Sequence, residues 1–247
     1  MSMRASFLGW LVGSLMLLMS LAAQAGDGVL DRIQVLRSES FRACASILLS
    51  YDPYARTIDR GGRDDYRSSL AKMAEAISDP NLVGVEDEYS SFSSSIKALE
   101  SSVREGAVLS VNDVLAAQAR LISAADKLYL RHFSDGAAVK GKLHALSVEM
   151  GKLLVIYQIR PYGGLVNYPG IILDEGTLPS IDSTINSSLE ELRRSIPEFT
   201  GELKEVHRSY EFVRPRILDA RQKFVADGVK YYLGRNIDRL DAIASRL

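Results

Sequence analysis

Apolar residues recur along almost the whole chain at the spacing of an α-helix, three or four positions apart. No stretch alternates polar and apolar residues as a half-buried strand does. The most regular apolar stripe is formed by Val139, Leu143, Leu146, Met150, Leu153 and Tyr157. Because its steps alternate between four and three, this helix should carry a coiled-coil-like stripe deep in a bundle. The pattern predicts an all-α protein, folded as an elongated antiparallel helical bundle.

Turn-forming residues divide the apolar stripes into successive helices. The first stripe, from Val29 to Leu48, should end at residues 52–54 and Gly61-Gly62, and the second at Asp79-Pro80. Ser110 and Asp113 have the spacing of a capping box that opens the fourth helix.

Two prolines mark the later helices. A loop from Arg160 to Pro179 follows the fifth helix, and Pro197 suits the first turn of the seventh. Pro215 interrupts the apolar stripe of that seventh helix, so we expect a kink or a break there.

Two short patterns recur in the same order at similar distances. One begins at Leu48-Leu49 and returns at Leu153-Leu154, each time followed by Tyr, Pro and Tyr. The other begins at Ala125-Asp126 and returns at Ala226-Asp227. They indicate two related helical halves, over residues 26–135 and 136–247, and chance similarity of helical stripes is the alternative. A pseudo-symmetric bundle of this kind can stand in for a homodimer.

The first 25 residues have the layout of a secretory signal peptide. Arg4 precedes an apolar run from Phe7 to Leu21, and Ala23-Gln24-Ala25 supplies the small residues of a cleavage site. We therefore expect cleavage after Ala25 and a periplasmic bacterial protein. A retained membrane anchor is the alternative, because the run approaches the length that spans a bilayer.

Composition and motifs exclude several classes of function. Thirty basic residues balance 31 acidic ones, and no basic run with interleaved aromatics indicates nucleic acid as a partner. Cys44 is the sole cysteine, so no internal disulfide can form, and we expect it to be buried in a helix. The three histidines are far apart, and no metal-binding, phosphate-binding or nucleophile motif is present. We expect a protein that is not an enzyme and has no cofactor.

The segment from Gly141 to Lys152 resembles the signature helix of the PilJ-type domain, the N-terminal domain of type IV pili methyl-accepting chemotaxis transducers. Gly141, Leu146, Ser147, Met150 and Lys152 match the family pattern directly. The resemblance covers about a dozen residues and implies a helical sensor domain, related to those of nitrate and nitrite histidine kinases.

This helix departs from its nitrate-sensing relatives at two positions. His144 stands where the family has an Arg that meets the anion at a symmetric helix pair, and Glu149 replaces a second Arg. A neutral histidine holds an anion less well than a bidentate guanidinium, which argues against nitrate as the ligand.

At 100° per residue, Gly141, Ala145, Val148 and Lys152 lie almost opposite the apolar stripe of this helix, and His144 flanks them. Together with Ser147 they form the candidate site for a ligand or partner: Gly141, His144, Ala145, Ser147, Val148 and Lys152. The alternative is that the glycines only let another helix approach closely.

The sequence therefore predicts an exported, non-enzymatic sensory or accessory module. Its expected partners are a small molecule or anion, the outer domain of a membrane receptor or another envelope protein, and a second copy of itself. A purely structural or assembly protein of the envelope, without a small-molecule ligand, is the alternative.

Overall fold

A computed structural model describes residues 28–52, 54–103, 108–172, 174–219, 221 and 223–247. The predicted signal peptide, residues 1–25, lies outside these ranges. Within them, no helix combines the length and the apolar character needed to cross a membrane.

The described chain is an all-α bundle, as the sequence predicts. Its first helix, α1, covers residues 28–50. The others are α2 Arg60–Ile77, α3 Glu86–Ser102, α4 Ser110–His132, α5 Ala138–Gln158, α6 Thr177–Ser195, α7 Thr200–Leu218 and α8 Ala226–Ala244. Short 3-10 turns cover Asp135–Ala137, Arg160–Leu165 and Pro197–Phe199. Two-residue strands, β1 Tyr51–Asp52 and β2 Thr57–Ile58, pair antiparallel between α1 and α2, a hairpin that the apolar pattern does not reveal.

Three local predictions at helix ends are wrong. Gly61-Gly62 lies inside the first turn of α2, where the Asp59 side chain caps the Gly62 amide at 3.1 Å. No side-chain bond caps the start of α4, so Ser110 and Asp113 do not form a capping box. Pro215 does not break α7, which continues to Leu218, although the proline cannot donate to the carbonyl of Glu211 one turn earlier.

Helix α5 lies at the centre, between two apolar clusters. Val148 and Val155 pack into a cluster built with α1 to α4. Leu146, Met150 and Leu153 pack into a second cluster built with α6, α7 and α8. Because α5 packs into a cluster on each of these two faces, its apolar residues are not confined to one stripe. The helix therefore shows little amphipathic character.

Helix α1 is the second central helix and packs directly on α5. An added Cβ at Gly151 would lie 2.5 Å from Cδ2 of Phe41, whose ring is fully buried. Only a glycine lets the Phe41 ring approach the α5 backbone this closely. The glycine face of α5 therefore meets a helix of the same chain at this point.

The helix order is the same in residues 26–135 and 136–247, with one buried helix followed by three others in each. One repeated pattern lies near the ends of α1 and α5, although Tyr51 lies in β1 and Tyr157 within α5. The other lies at places that are not equivalent, because Ala125-Asp126 lies in the last turns of α4 and Ala226-Asp227 in the first turn of α8. That the two halves are related stays a prediction.

Candidate functional site

The residues predicted as a binding face are divided between packing positions and the surface. An added Cβ at Gly141 would lie 2.6 Å from Cε2 of Phe133, so this glycine accommodates the ring that follows α4. Val148 is buried in the apolar cluster around α1. Ala145 is exposed, and Lys152 is one third exposed with its Nζ 2.7 Å from Oε1 of Glu149. The structure does not bring the six residues together around one cavity.

His144 is buried between α4, α1 and α5. Its Nδ1 lies 2.9 Å from the hydroxyl of Tyr129, and its Nε2 lies 3.5 Å from Oδ1 of Asp31. Burial, and then the charges of Arg37 and Lys140, lower the pKa of His144 to about 3. The imidazole is therefore neutral at physiological pH, and the geometry fits a Tyr129 hydroxyl that donates to Nδ1.

The charges around His144 are compensated within the protein. Lys140, which is buried, places its Nζ 3.2 Å from Oδ2 of Asp31. Arg37 pairs with Asp126 at 2.7 Å and lies over the Tyr129 ring, 4.8 Å from its centroid. These contacts engage both Arg37 and Lys140 with acidic groups of the same chain, so neither is oriented towards an external anion.

Ser147 belongs to the same polar network, on the side of α8. Its Oγ lies 3.5 Å from Oγ of Ser38, which donates to Oδ2 of Asp241 at 2.6 Å. Gln34 donates to Oδ1 of the same carboxylate at 3.0 Å. Burial raises the pKa of Asp241 to about 6, against the opposing effect of hydrogen bonds from Ser38, Ser147 and Gln34. We call the residues Asp31, Gln34, Arg37, Ser38, Tyr129, Lys140, His144, Ser147 and Asp241 the polar network.

A polar cavity of about 220 Å³ lies between α1, α2 and α8. Its cations are already paired with acidic groups. Lys72 contacts Glu39 at 3.0 Å, Arg42 contacts Asp238 at 2.5 Å, and Lys230 contacts Asp65. A charged ligand would have to displace these pairs before it could bind here.

A second cavity, of about 300 Å³, lies where α1 and α5 end. We call it the end cavity. Residues 26–135 contribute Leu48, Leu49, Tyr51, Asp52, Tyr54 and Val108 to its lining. Residues 136–247 contribute Gln158, Pro161, Tyr162, Leu165 and Phe224. The lining is mainly apolar with a few polar groups, which is the usual composition of a small-molecule site.

Two buried polar atoms of the lining residues have no hydrogen-bond partner within the described ranges. They are Oε1 of Gln158 and the hydroxyl of Tyr51. Both residues are at least nine-tenths buried. An unsatisfied buried polar atom costs about 1–3 kcal/mol, which a ligand that bonds to it would recover. Burial, and then the charge of Asp52, raise the pKa of Tyr51, so its hydroxyl stays protonated.

Sequence reasoning did not place a site at this end of the helices. Tyr51, Gln158, Tyr162 and Phe224 carry no chemical motif, and only the fold brings them together. A signal was nevertheless present, because the repeated Leu-Leu, Tyr and Pro-Tyr pattern lies at the ends of α1 and α5. In the sequence alone that pattern indicates a repeat and not a site.

Cys44 is buried in α1, as predicted. Burial raises the pKa of its thiol far above the ordinary value, so the group is a packing residue and not a reactive nucleophile.

Comparison with known proteins finds no family model, no curated protein and no solved structure that matches the chain. The resemblance to the PilJ-type domain therefore stays a prediction based on the residues of α5.

Proposed function

We propose that this protein is a non-enzymatic ligand-binding helical bundle that acts as a sensory or accessory module of the bacterial envelope. We retain the export and the PilJ-like character predicted from the sequence. We propose the end cavity as the binding site, in place of the middle of α5.

The end cavity is the observation that supports this proposal. It has the volume and the apolar lining of a small-molecule site, and two buried polar atoms of its lining residues are unsatisfied. Both predicted halves contribute residues to the cavity, so a bound ligand would contact both and could change how α1 and α5 pack against each other. A sensory module needs such a link between its ligand and the arrangement of its helices.

A thermal-shift screen of metabolites on the full-length chain tests the proposal. A ligand that binds only the folded state raises the melting temperature, by mass action. The screen is run in parallel on Leu165→Trp, which narrows the cavity at a residue that is 62% exposed. We expect hits on the native chain that Leu165→Trp weakens or abolishes.

Leu130→Trp is the matched control, since Leu130 is 72% exposed and lies outside the lining. It should leave the hits unchanged. A screen without hits, or hits that Leu165→Trp and Leu130→Trp affect equally, would contradict a ligand site in the end cavity.

An assembly protein is the second candidate function, and an aromatic surface on α7 and α8 favours it. Phe212 is 68% exposed and its ring centroid lies 4.9 Å from that of Tyr232, while Tyr231 is 58% exposed beside it. Exposed aromatic clusters are typical of protein interfaces. Sedimentation velocity should then show self-association that Phe212→Ser reduces and Leu130→Ser does not. A monomer at every concentration would count against self-assembly.

A further inference from the structure

Four of the eleven described residues that line the end cavity are aromatic. They are Tyr51, Tyr54, Tyr162 and Phe224. The face of an aromatic ring carries partial negative charge and attracts ammonium ions, most strongly where water is excluded. The aromatic content alone therefore favours a cation over an anion.

The amide of Gln158 has a defined orientation. Its Nε2 donates to the carbonyl of Ala226 at 3.1 Å, and its Oε1 has no partner within the described ranges. Flipping the amide would place oxygen against oxygen, so the contact with Ala226 assigns the nitrogen and leaves the oxygen as the unsatisfied atom. A ligand group that reaches this oxygen must therefore be a hydrogen-bond donor.

Asp52 supplies the formal charge of the lining. Its Oδ1 accepts from the backbone amides of Tyr54 at 2.8 Å and Ala55 at 2.9 Å, which holds the exposed carboxylate in place at the edge of the cavity. None of the described lining residues is lysine, arginine or histidine. Asp52 is therefore the one formally charged side chain among the described lining residues. Burial, and then the effects of Tyr51 and Asp52, raise the pKa of Tyr162, so its hydroxyl stays protonated.

We propose that the ligand of the end cavity is a small organic ammonium ion with an apolar or aromatic body. This inference rests on the proposed function and adds the chemical class of the ligand. The ammonium group would donate to the Gln158 oxygen and pair with Asp52, and the apolar body would pack against Leu48 and the aromatic rings. Among the described lining residues an anion would find the Tyr51 hydroxyl as a donor but no cationic side chain, and Asp52 would repel it. The volume of about 300 Å³ restricts the site to small molecules.

Isothermal titration of the full-length chain with three compounds tests the ligand class. The compounds are 2-phenylethylammonium, 2-phenylethanol and 3-phenylpropionate, which share an apolar body and differ in charge. We expect the ammonium ion to bind about tenfold more tightly than the alcohol, a difference of about 1.4 kcal/mol. The carboxylate should give no measurable binding.

Two variants locate the binding. Asp52→Asn keeps an Oδ1 that can accept from Tyr54 and Ala55 but removes the charge, so it should weaken the ammonium ion about tenfold and leave the alcohol unchanged. Asp87→Asn, at an exposed acid in the first turn of α3, should change neither. Leu165→Trp should weaken both compounds.

The outcomes separate the ligand class from the proposed function. Binding of the alcohol or the carboxylate as tight as that of the ammonium ion, and sensitive to Leu165→Trp, would overturn the ammonium assignment and support a ligand site in the end cavity. Failure of all three compounds would also overturn the assignment. The proposed function falls only if the broad thermal-shift screen finds no ligand that Leu165→Trp weakens.

Discussion

The two ends of α5 both carry buried polar side chains, but the surrounding protein satisfies them to different degrees. At the N-terminal end, His144 contacts Tyr129 and Asp31, and Lys140 pairs with Asp31. Each charged group at this end has an oppositely charged partner within the protein, although Nε of Arg37 makes no hydrogen bond in the described ranges. At the C-terminal end, Gln158 lines the end cavity. Its amide nitrogen donates a hydrogen bond, and its amide oxygen has no partner within the described ranges.

This difference shows how to distinguish a structural polar group from a binding group. A buried polar side chain that has found partners stabilises the packing of its own helices. One that lacks a partner carries a free-energy cost, which a ligand can remove. The residue types alone do not separate the two cases. Histidine and lysine are more often found in functional sites than glutamine, yet here they are the residues with partners in the protein.

The largest expected loss of stability follows from a substitution between the two ends of α5, where this helix contacts α1. Gly151→Leu places four carbons against the Phe41 ring, where even a Cβ would lie 2.5 Å away. Overpacking of a rigid core costs about 3 kcal/mol at the upper end of its usual range. Urea unfolding should show this loss in the free energy of unfolding.

Gly201→Ala in α7 is the control for that substitution, since no atom lies within 4 Å of its added Cβ. It should keep the stability or raise it by up to about 1 kcal/mol, because alanine favours a helix over glycine. Equal stability of Gly151→Leu and the native chain would show that α1 and α5 do not pack here.

At the N-terminal end, His144→Leu should destabilise the protein without affecting binding. It removes a buried hydrogen bond to Tyr129, which should lower the free energy of unfolding by about 2 kcal/mol in urea titrations. His207→Leu, at a partly exposed histidine that contacts Glu211, should change it by less than about 0.5 kcal/mol. Lost ligand binding in His144→Leu, at unchanged stability, would instead return the site to the middle of α5.

Two groups of the polar network should compensate each other between about pH 4 and 6. In the folded protein His144, with a pKa of about 3, is neutral, and Asp241, with a pKa of about 6, is protonated. In the unfolded chain the histidine is protonated below 6.5 and the carboxyl is ionised above 3.8. Each state then holds one proton on this pair, so the pair adds no net pH dependence to stability.

Replacing either group should reveal the pH dependence of the other. In Asp241→Asn only the unfolded chain gains a proton, on His144, so stability should fall by about 1.4 kcal/mol per pH unit on acidification from pH 6 to 4. In His144→Leu only the folded chain gains a proton, on Asp241, so stability should rise by a similar amount. Urea titrations at several pH values measure both slopes relative to the native chain, and parallel curves for all three would refute the compensation.

The smallest expected change in stability is at the C-terminal end. Gln158→Leu loses the bond to Ala226 but also removes an unsatisfied buried oxygen, so the free energy of unfolding should change by less than about 1 kcal/mol. Thermal-shift hits of the native chain should disappear in this variant. Gln118→Leu offers a contrast, because the Gln118 amide both donates to Ser40 and accepts from Tyr168, and its loss should cost more. Equal costs for the two glutamines would remove the distinction between the ends of α5.

The helical architecture was predictable because each apolar stripe repeats at the helical period over many residues. The stripe from Val139 to Tyr157 predicted α5 almost to its ends, and Asp79-Pro80 predicted the end of α2. Helix ends such as Gly61-Gly62 and Pro215 were predicted less well. Glycine occurs both in turns and at close approaches, and proline, favoured in the first turn of a helix, also lies inside α7 at Pro215, so their types do not fix their positions.

By itself the sequence determined the fold class, the central place of α5 and the burial of Cys44, because local periodicity and apolar character carry that information. Only the tertiary structure decided that Phe133 and Phe41 fill the glycine side of α5 and that His144 is satisfied. It also decided that Tyr51, Gln158 and Phe224 meet around a cavity. Those outcomes depend on how separate helices pack together: Phe41 and Gly151 are 110 positions apart, and even Tyr129 and His144, 15 positions apart, belong to different helices. The apolar period within one helix does not encode such contacts.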